Sequence, residues 1–136
     1  MTSADLPAAE FGYPGPLRDR LVAAILAGAK TSTTSLFAAY DLAGEQLPRP
    51  GERFRLIDSA DVTVGVLETR EVHTTRLVDV DLAHVIAEGE GYPDVASWRV
   101  AHEQFWATPE ERAACGDLPI DDDTVVVLER FELLRP

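Results

Sequence analysis

The chain has 136 residues, 46% hydrophobic and 26% charged, an ordinary balance for one globular domain that buries a core without disulfide or metal staples. Its 24 acidic and 12 basic side chains leave a net charge of −12, which weighs against holding duplex DNA or a long RNA, since such binding draws on many Lys and Arg contacts to phosphate. No apolar run approaches the ~18 residues that span a bilayer, and residues 1–10 lack a signal peptide's basic and apolar regions, so a cytoplasmic protein with no membrane partner is expected.

Residues 1–10 read as a flexible tail of small and polar side chains, with residues 11–136 as a single domain. Phe11-Gly12-Tyr13-Pro14-Gly15-Pro16 is turn chemistry that stops where Pro16 suits a first helical position. Leu17, Leu21, Val22, Ile25 and Leu26 then recur at helical spacing, Arg18, Asp19 and Arg20 lie largely off that stripe, and Gly28 supplies a stop. Lys30-Thr31-Ser32-Thr33-Thr34-Ser35 reads as a loop of five hydroxyls behind one lysine, and a short helix over about 35–42 is expected to follow, closed by Gly44. Leu47-Pro48-Arg49-Pro50-Gly51 is a further loop.

Alternation predicts strands over 53–58 and 62–72, joined as a hairpin through Ser59-Ala60-Asp61, and a weaker pattern suggests a third strand over 73–77. Asp79 or Asp81 can cap a helix carrying Leu82, Val85 and Ile86 that stops at Gly89. A further helix is expected over about 94–106, and Thr108-Pro109-Glu110-Glu111 matches a capping box that opens a short extra turn. The β-branched, apolar stretch 124–134 reads as a closing strand. Helices, a strand pair, helices and a last strand predict an α+β fold, a partly closed barrel flanked by helices.

Three constellations could carry chemistry. Lys30 with the hydroxyls of Thr31, Thr33, Thr34 and Ser35 could bind an anion or polar heterocycle, or supply an activated nucleophile; a helix C-terminus beside an N-capping cluster explains the same residues. In Ala87-Glu88-Gly89-Glu90-Gly91, one carboxylate could turn inward as acid, base or orienting group, or both could sit on a solvated helix end. Trp98-Arg99-x-x-His102-x-x-Phe105-Trp106 could stack on a base and contact phosphate, or simply line a core. His73, His84 and His102 lack metal-ligand spacing, so no metal or other cofactor is expected, and Cys115 reads as an incidental free thiol.

Taken in order, Gly28-x-Lys30-x-x-Thr33, the Glu88/Glu90 turn, the Trp98 to Trp106 helix and a closing Glu129-Arg130-Phe131 resemble the ASCH domain family, in particular its longer bacterial members, over residues 11–134. The resemblance implies a PUA-like β-barrel whose cleft binds a nucleoside-like ligand or a short RNA. Small family members hydrolyse the acetyl amide of N4-acetylcytidine with a lysine, a threonine and a glutamate. Matched by motif, these are Lys30 as base, Thr33 as nucleophile and Glu88 as orienting group, with Glu90 a substitute for Glu88. Thr31, Thr34, Ser35, Glu90, Trp98, Arg99 and His102 are the expected ligand contacts. The wider family often continues its lysine motif as GxKxxExR, where this chain has Thr33 and Ser35; the threonine suits the amidohydrolase, and the lost arginine weakens the case for an RNA backbone. Non-catalytic binding of RNA or a modified nucleotide, and metal-dependent RNA cleavage, are the competing functions.

Overall fold

The computed structural model describes residues 5–134, so residues 1–4 of the expected tail lie outside the described residues. In chain order the elements are β1 (Ala8–Ala9), α1 (Pro16–Leu26), β2 (Ser32–Leu36), α2 (Phe37–Ala43), β3 (Arg53–Ile57), β4 (Thr63–Arg76), a 3-10 turn (Leu77–Asp79), α3 (Leu82–Ala87), α4 (Val95–Trp106), α5 (Pro109–Cys115) and β5 (Val125–Leu134). The strands form one mixed sheet in the order β1-β3-β4-β5-β2, curled into a half-barrel with five helices around it. This is the expected α+β, partly closed barrel. No helix among the described residues is long and apolar enough to cross a membrane.

The hairpin between β3 and β4 is set by Asp58, whose Oδ1 accepts the N–H of Ala60 and of Val62, each at 2.9 Å. That double capture is what a short Asx-type turn needs. β4 runs through the two segments read as separate strands, because β5 pairs with it from Val66 opposite Leu134 to Arg76 opposite Val125. A shift of register between Thr69 and Glu71 interrupts the ladder, and such a bulge bends and twists the strand that carries it.

α1 buries Leu21, Val22 and Ile25 against Phe11, Leu56, Leu67 and Phe131. Each such aliphatic side chain contributes about 1.5–3 kcal/mol on burial. A second cluster holds Leu36, Leu77, Val80, Val85, Trp98, Trp106, Cys115 and Val126. Of the two candidate caps for α3, Asp81 is the one used, its Oδ1 accepting His84 N–H at 3.0 Å. Asp94 opens α4 in the same way through Ser97 N–H at 2.7 Å.

Three expectations are corrected. Part of the predicted tail is held on the sheet: Ala8 pairs in parallel with Arg55, and Arg55 donates to Pro7 O and Leu6 O, both at 2.8 Å. The hydroxyl loop is largely a strand, with Ser32 to Leu36 paired antiparallel to β5 and the next helix starting only at Phe37. The capping box is not made, because Thr108 Oγ1 donates to Phe105 O at 2.8 Å and no side chain caps α5.

Candidate functional site

The site forms where the end of α3 is pressed against the start of β2. Gly28, at φ 84°, turns the chain out of α1, and the N–H groups of Ala29 and Lys30 both return to Ala24 O at 3.0 and 3.1 Å. Thr31 then ties the two segments together, its N–H reaching Ala87 O at 2.8 Å and its Oγ1 the same oxygen at 3.2 Å. Gly89 has φ +66°, and a Cβ on it would stand 2.1 Å from Ala29 O. Only glycine fits that contact, and it sets Glu88 and Glu90 on either side of Lys30.

Lys30 is 2% exposed. Its Nζ donates to Ser32 O at 2.8 Å, to Glu88 O at 3.4 Å and to Glu90 Oε2 at 3.3 Å, and it lies 4.0 Å from Glu88 Oε1. Three acceptors match the three donors of an ammonium group. Glu88, 1% exposed, accepts the Thr34 hydroxyl on Oε2 at 2.5 Å and has His84 Nε2 3.0 Å from the same oxygen. Thr34 Oγ1 and His84 Nε2 are themselves 2.7 Å apart, closing a triangle. On the other side, His102 Nε2 stands at an ion-pair distance of 3.2 Å from Glu88 Oε1, yet no donor is aligned on that oxygen for a hydrogen bond. His102 is oriented by its Nδ1–H, which donates to Trp98 O at 2.9 Å, and by stacking on the Trp98 ring with centroids 4.3 Å apart.

Burial by itself would push the Glu88 carboxyl up; the neighbouring His102 and His84 and the charge of Lys30 outweigh it and hold the group well below the usual carboxylate range. For His102 burial works against the charged ring, but the Glu88 carboxylate beside it prevails and raises its pKa above the ordinary value. Glu90 is raised, chiefly by burial, with Lys30 pulling the other way and the proximity of Glu88 adding to the rise.

These groups border a cavity of about 760 Å³, a size usual for small-molecule sites. Lys30, Thr33, Thr34 and Ser35 line it, as do Glu88, Glu90 and His102. Thr33 is in the wall, but its hydroxyl makes no hydrogen bond to Lys30 or Glu88; alternation along β2 gives the Glu88 contact to Thr34 instead. Thr31, Trp98 and Arg99, expected as ligand contacts, do not line the cavity. Thr31 is occupied with Ala87, and Trp98 is fully buried beneath His102. Arg99 is held by Glu103 at 3.2 Å and Asp122 at 2.7 Å.

Sequence reasoning missed His84 and Arg18. His84 stands four residues before Glu88, a spacing that puts both on one helical face, so its signal was available. Arg18 is 1% exposed and lines the cavity from α1; nothing in the apolar stripe of that helix announces a buried arginine. Glu88, Glu90 and His102 also bring one potential metal-ligand atom each to within 4.8 Å of one another, a grouping hidden by their separation in sequence. Lys30 already supplies a cation to both carboxylates there.

Residues 8–135 match the ASCH domain family. Among solved structures, the chain is similar to protein EF3133 from Enterococcus faecalis V583, at 26% identity and a TM-score of 0.83, with 94% of this chain and 76% of that one covered. It is also similar to an ASCH domain from Lactobacillus crispatus JV V101, at 26% identity and a TM-score of 0.74, covering 85% of this chain and 70% of the other. No curated protein matches it. The half-barrel is PUA-like, as in these structures.

Proposed function

Because the chain belongs to the ASCH domain family, we propose that its cavity takes a single nucleoside-like molecule and reads the donor and acceptor groups on one edge of the base. The observation that carries this reading is Glu88: a buried carboxylate in the cavity wall, kept ionised by its neighbours, whose Oε1 stands 3.2 Å from His102 Nε2 and has no aligned donor among the described residues. An exocyclic amine is the kind of group that satisfies such an oxygen, and Lys30 or His102 can donate to a ring nitrogen or carbonyl beside it. The net charge of −12 favours a small ligand over a strand with many phosphates. Calorimetry with cytidine and N4-acetylcytidine tests it. Binding that weakens by about tenfold or more in Glu88→Gln is expected, as for loss of one charge-assisted hydrogen bond in a buried site. No heat with either ligand at millimolar concentration would sink the proposal.

A second reading, hydrolysis of an acyl amide on such a ligand, is favoured by Thr33, which lines the cavity and whose hydroxyl is not engaged by Lys30 or Glu88. Thr33 Oγ would attack the amide carbonyl and lose its proton, the C–N bond would break with a proton delivered to the leaving amine, and water would release the acyl group from Thr33. Lys30, with Nζ 3.3 Å from Glu90 Oε2, is the basic group of the wall in this reading, and Glu90 is the carboxylate beside it. Chromatographic assay of N4-acetylcytidine should show turnover that Thr33→Ala abolishes with ligand affinity retained. An unchanged rate in that variant would rule out Thr33 as nucleophile.

A further inference from the structure

We infer that the α1 wall of the cavity holds an anion site centred on Arg18, which takes the phosphate of a nucleoside 5′-monophosphate. The inference rests on the nucleoside reading above and extends it to a charged ligand. Arg18 is as buried as Glu88, at 1% exposed, and lines the same cavity. Its Nε donates to Phe11 O at 3.3 Å and its Nη2 to Gly12 O at 2.8 Å, which folds the turn before α1 over the side chain. Nη1 has no partner. Among the described residues its one ion-pair partner within 4 Å is Glu10, 3.7 Å from Nη2 with its own side chain 67% exposed, a weak counter-ion for a buried guanidinium.

Two carbonyl contacts would be enough to clamp the turn, and they need neither a third nitrogen nor a full positive charge. What remains is a fixed, buried cation on a residue of the cavity wall, with one donor unpaired among the described residues, and guanidinium donors of this kind recognise anionic oxygens. Arg18 also lies in the first turn of an 11-residue helix with no side-chain cap, an end that favours negative charge and already holds the carboxylate of Asp19. Arg20, exposed, lines the cavity as well. Among the described residues, two residues of the cavity wall thus carry a buried polar atom with no aligned hydrogen bond, an acceptor on Glu88 that has His102 Nε2 beside it at 3.2 Å and a donor on Arg18. A nucleotide carries both complements, an amine on its base and an anionic phosphate.

Calorimetry on the whole chain with cytidine and cytidine 5′-monophosphate tests this. The monophosphate should bind about tenfold tighter than the nucleoside, and Arg18→Gln should cut that ratio of affinities to under about threefold. Equal affinities in the unmodified chain, or a preference that survives in folded Arg18→Gln, would overturn the anion site alone. If Arg18→Gln does not fold, Glu10→Gln decides: removal of the competing exposed carboxylate should strengthen monophosphate binding by about threefold without changing cytidine binding, and an unchanged monophosphate affinity overturns the proposal. Binding of neither ligand would overturn the nucleoside reading, and this one with it.

Discussion

Glu88 carries a negative charge where water hardly reaches, and His102, His84 and Lys30 make that tolerable. The arrangement fixes how stability depends on pH. Glu88 has a native pKa below its ordinary 4.5, so its contribution is complete above pH 4.5 and is lost as pH falls through the lower native value. His102 has a native pKa above its ordinary 6.5, so its contribution is complete below pH 6.5 and is lost as pH rises through that higher value. Glu90, raised above 4.5, works in the same sense as His102. Melting temperatures measured across roughly pH 4–9 should therefore peak on the mildly acidic side. His102→Gln should flatten the alkaline decline. A melting temperature that climbs steadily from pH 6.5 upward would contradict the assignment of charge to this cluster.

At this scale the sequence marks Lys30, Glu88, Glu90 and His102, because each is an ionisable side chain within an ordered motif and each lines the cavity. It does not distinguish Thr33 from Thr34. Which hydroxyl meets Glu88 depends on the phase of β2, and that phase is set by pairing with β5. Arg99 and Arg18 show the converse. Both are arginines on helices beside aromatic or turn residues, yet the expected one is held by Asp122 and Glu103 while the unmarked one is buried at the cavity.

Among the elements, β2 is the part least legible in advance. A lysine and five hydroxyls look like solvated loop or capping chemistry, but Ser and Thr also pair well in a strand when a partner edge is waiting. Here β5 supplies the edge, and the α3 end holds the other side through the bond from Thr31 N–H to Ala87 O at 2.8 Å. The contact depends on Gly89, and comparison with Gly91 isolates why. Both have positive φ, +66° and +87°, but a Cβ at 91 would meet nothing within 4 Å, whereas at 89 it would meet the Ala29 carbonyl and the Lys30 nitrogen. Gly91→Ala should cost about 1–2 kcal/mol, the strain of the left-handed backbone alone. Gly89→Ala should cost at least about 3 kcal/mol, because the neighbour that must move is backbone and the Lys30–Glu88 geometry moves with it. Chemical denaturation of the two variants measures the gap, and equal losses would mean that the close approach at Gly89 does not hold the site together.

For the molecule as a whole, the opposing facts are a family fold associated with RNA-type ligands and a chain with twice as many acidic as basic side chains, 24 against 12. A strand bound through several phosphates must release counterions, so its affinity falls steeply with salt: five contacts to a single strand imply about a hundredfold loss between 50 and 200 mM. The basic groups that border this cavity are few, Lys30 is already paired with Glu90, and the surrounding field is negative. A ligand that makes one phosphate contact at Arg18 should lose only about threefold over the same range, and an uncharged nucleoside less. Titration of cytidine, its 5′-monophosphate and an oligoribonucleotide of about 20 residues at both salt concentrations separates the cases, since only the strand offers enough phosphates for a steep slope. Shallow dependence for the two small ligands with no measurable strand binding is expected. Tight strand binding with a steep slope would move the recognition surface out of the cavity and onto basic groups of the sheet and helices, and would favour a non-catalytic RNA-binding module over a nucleoside pocket.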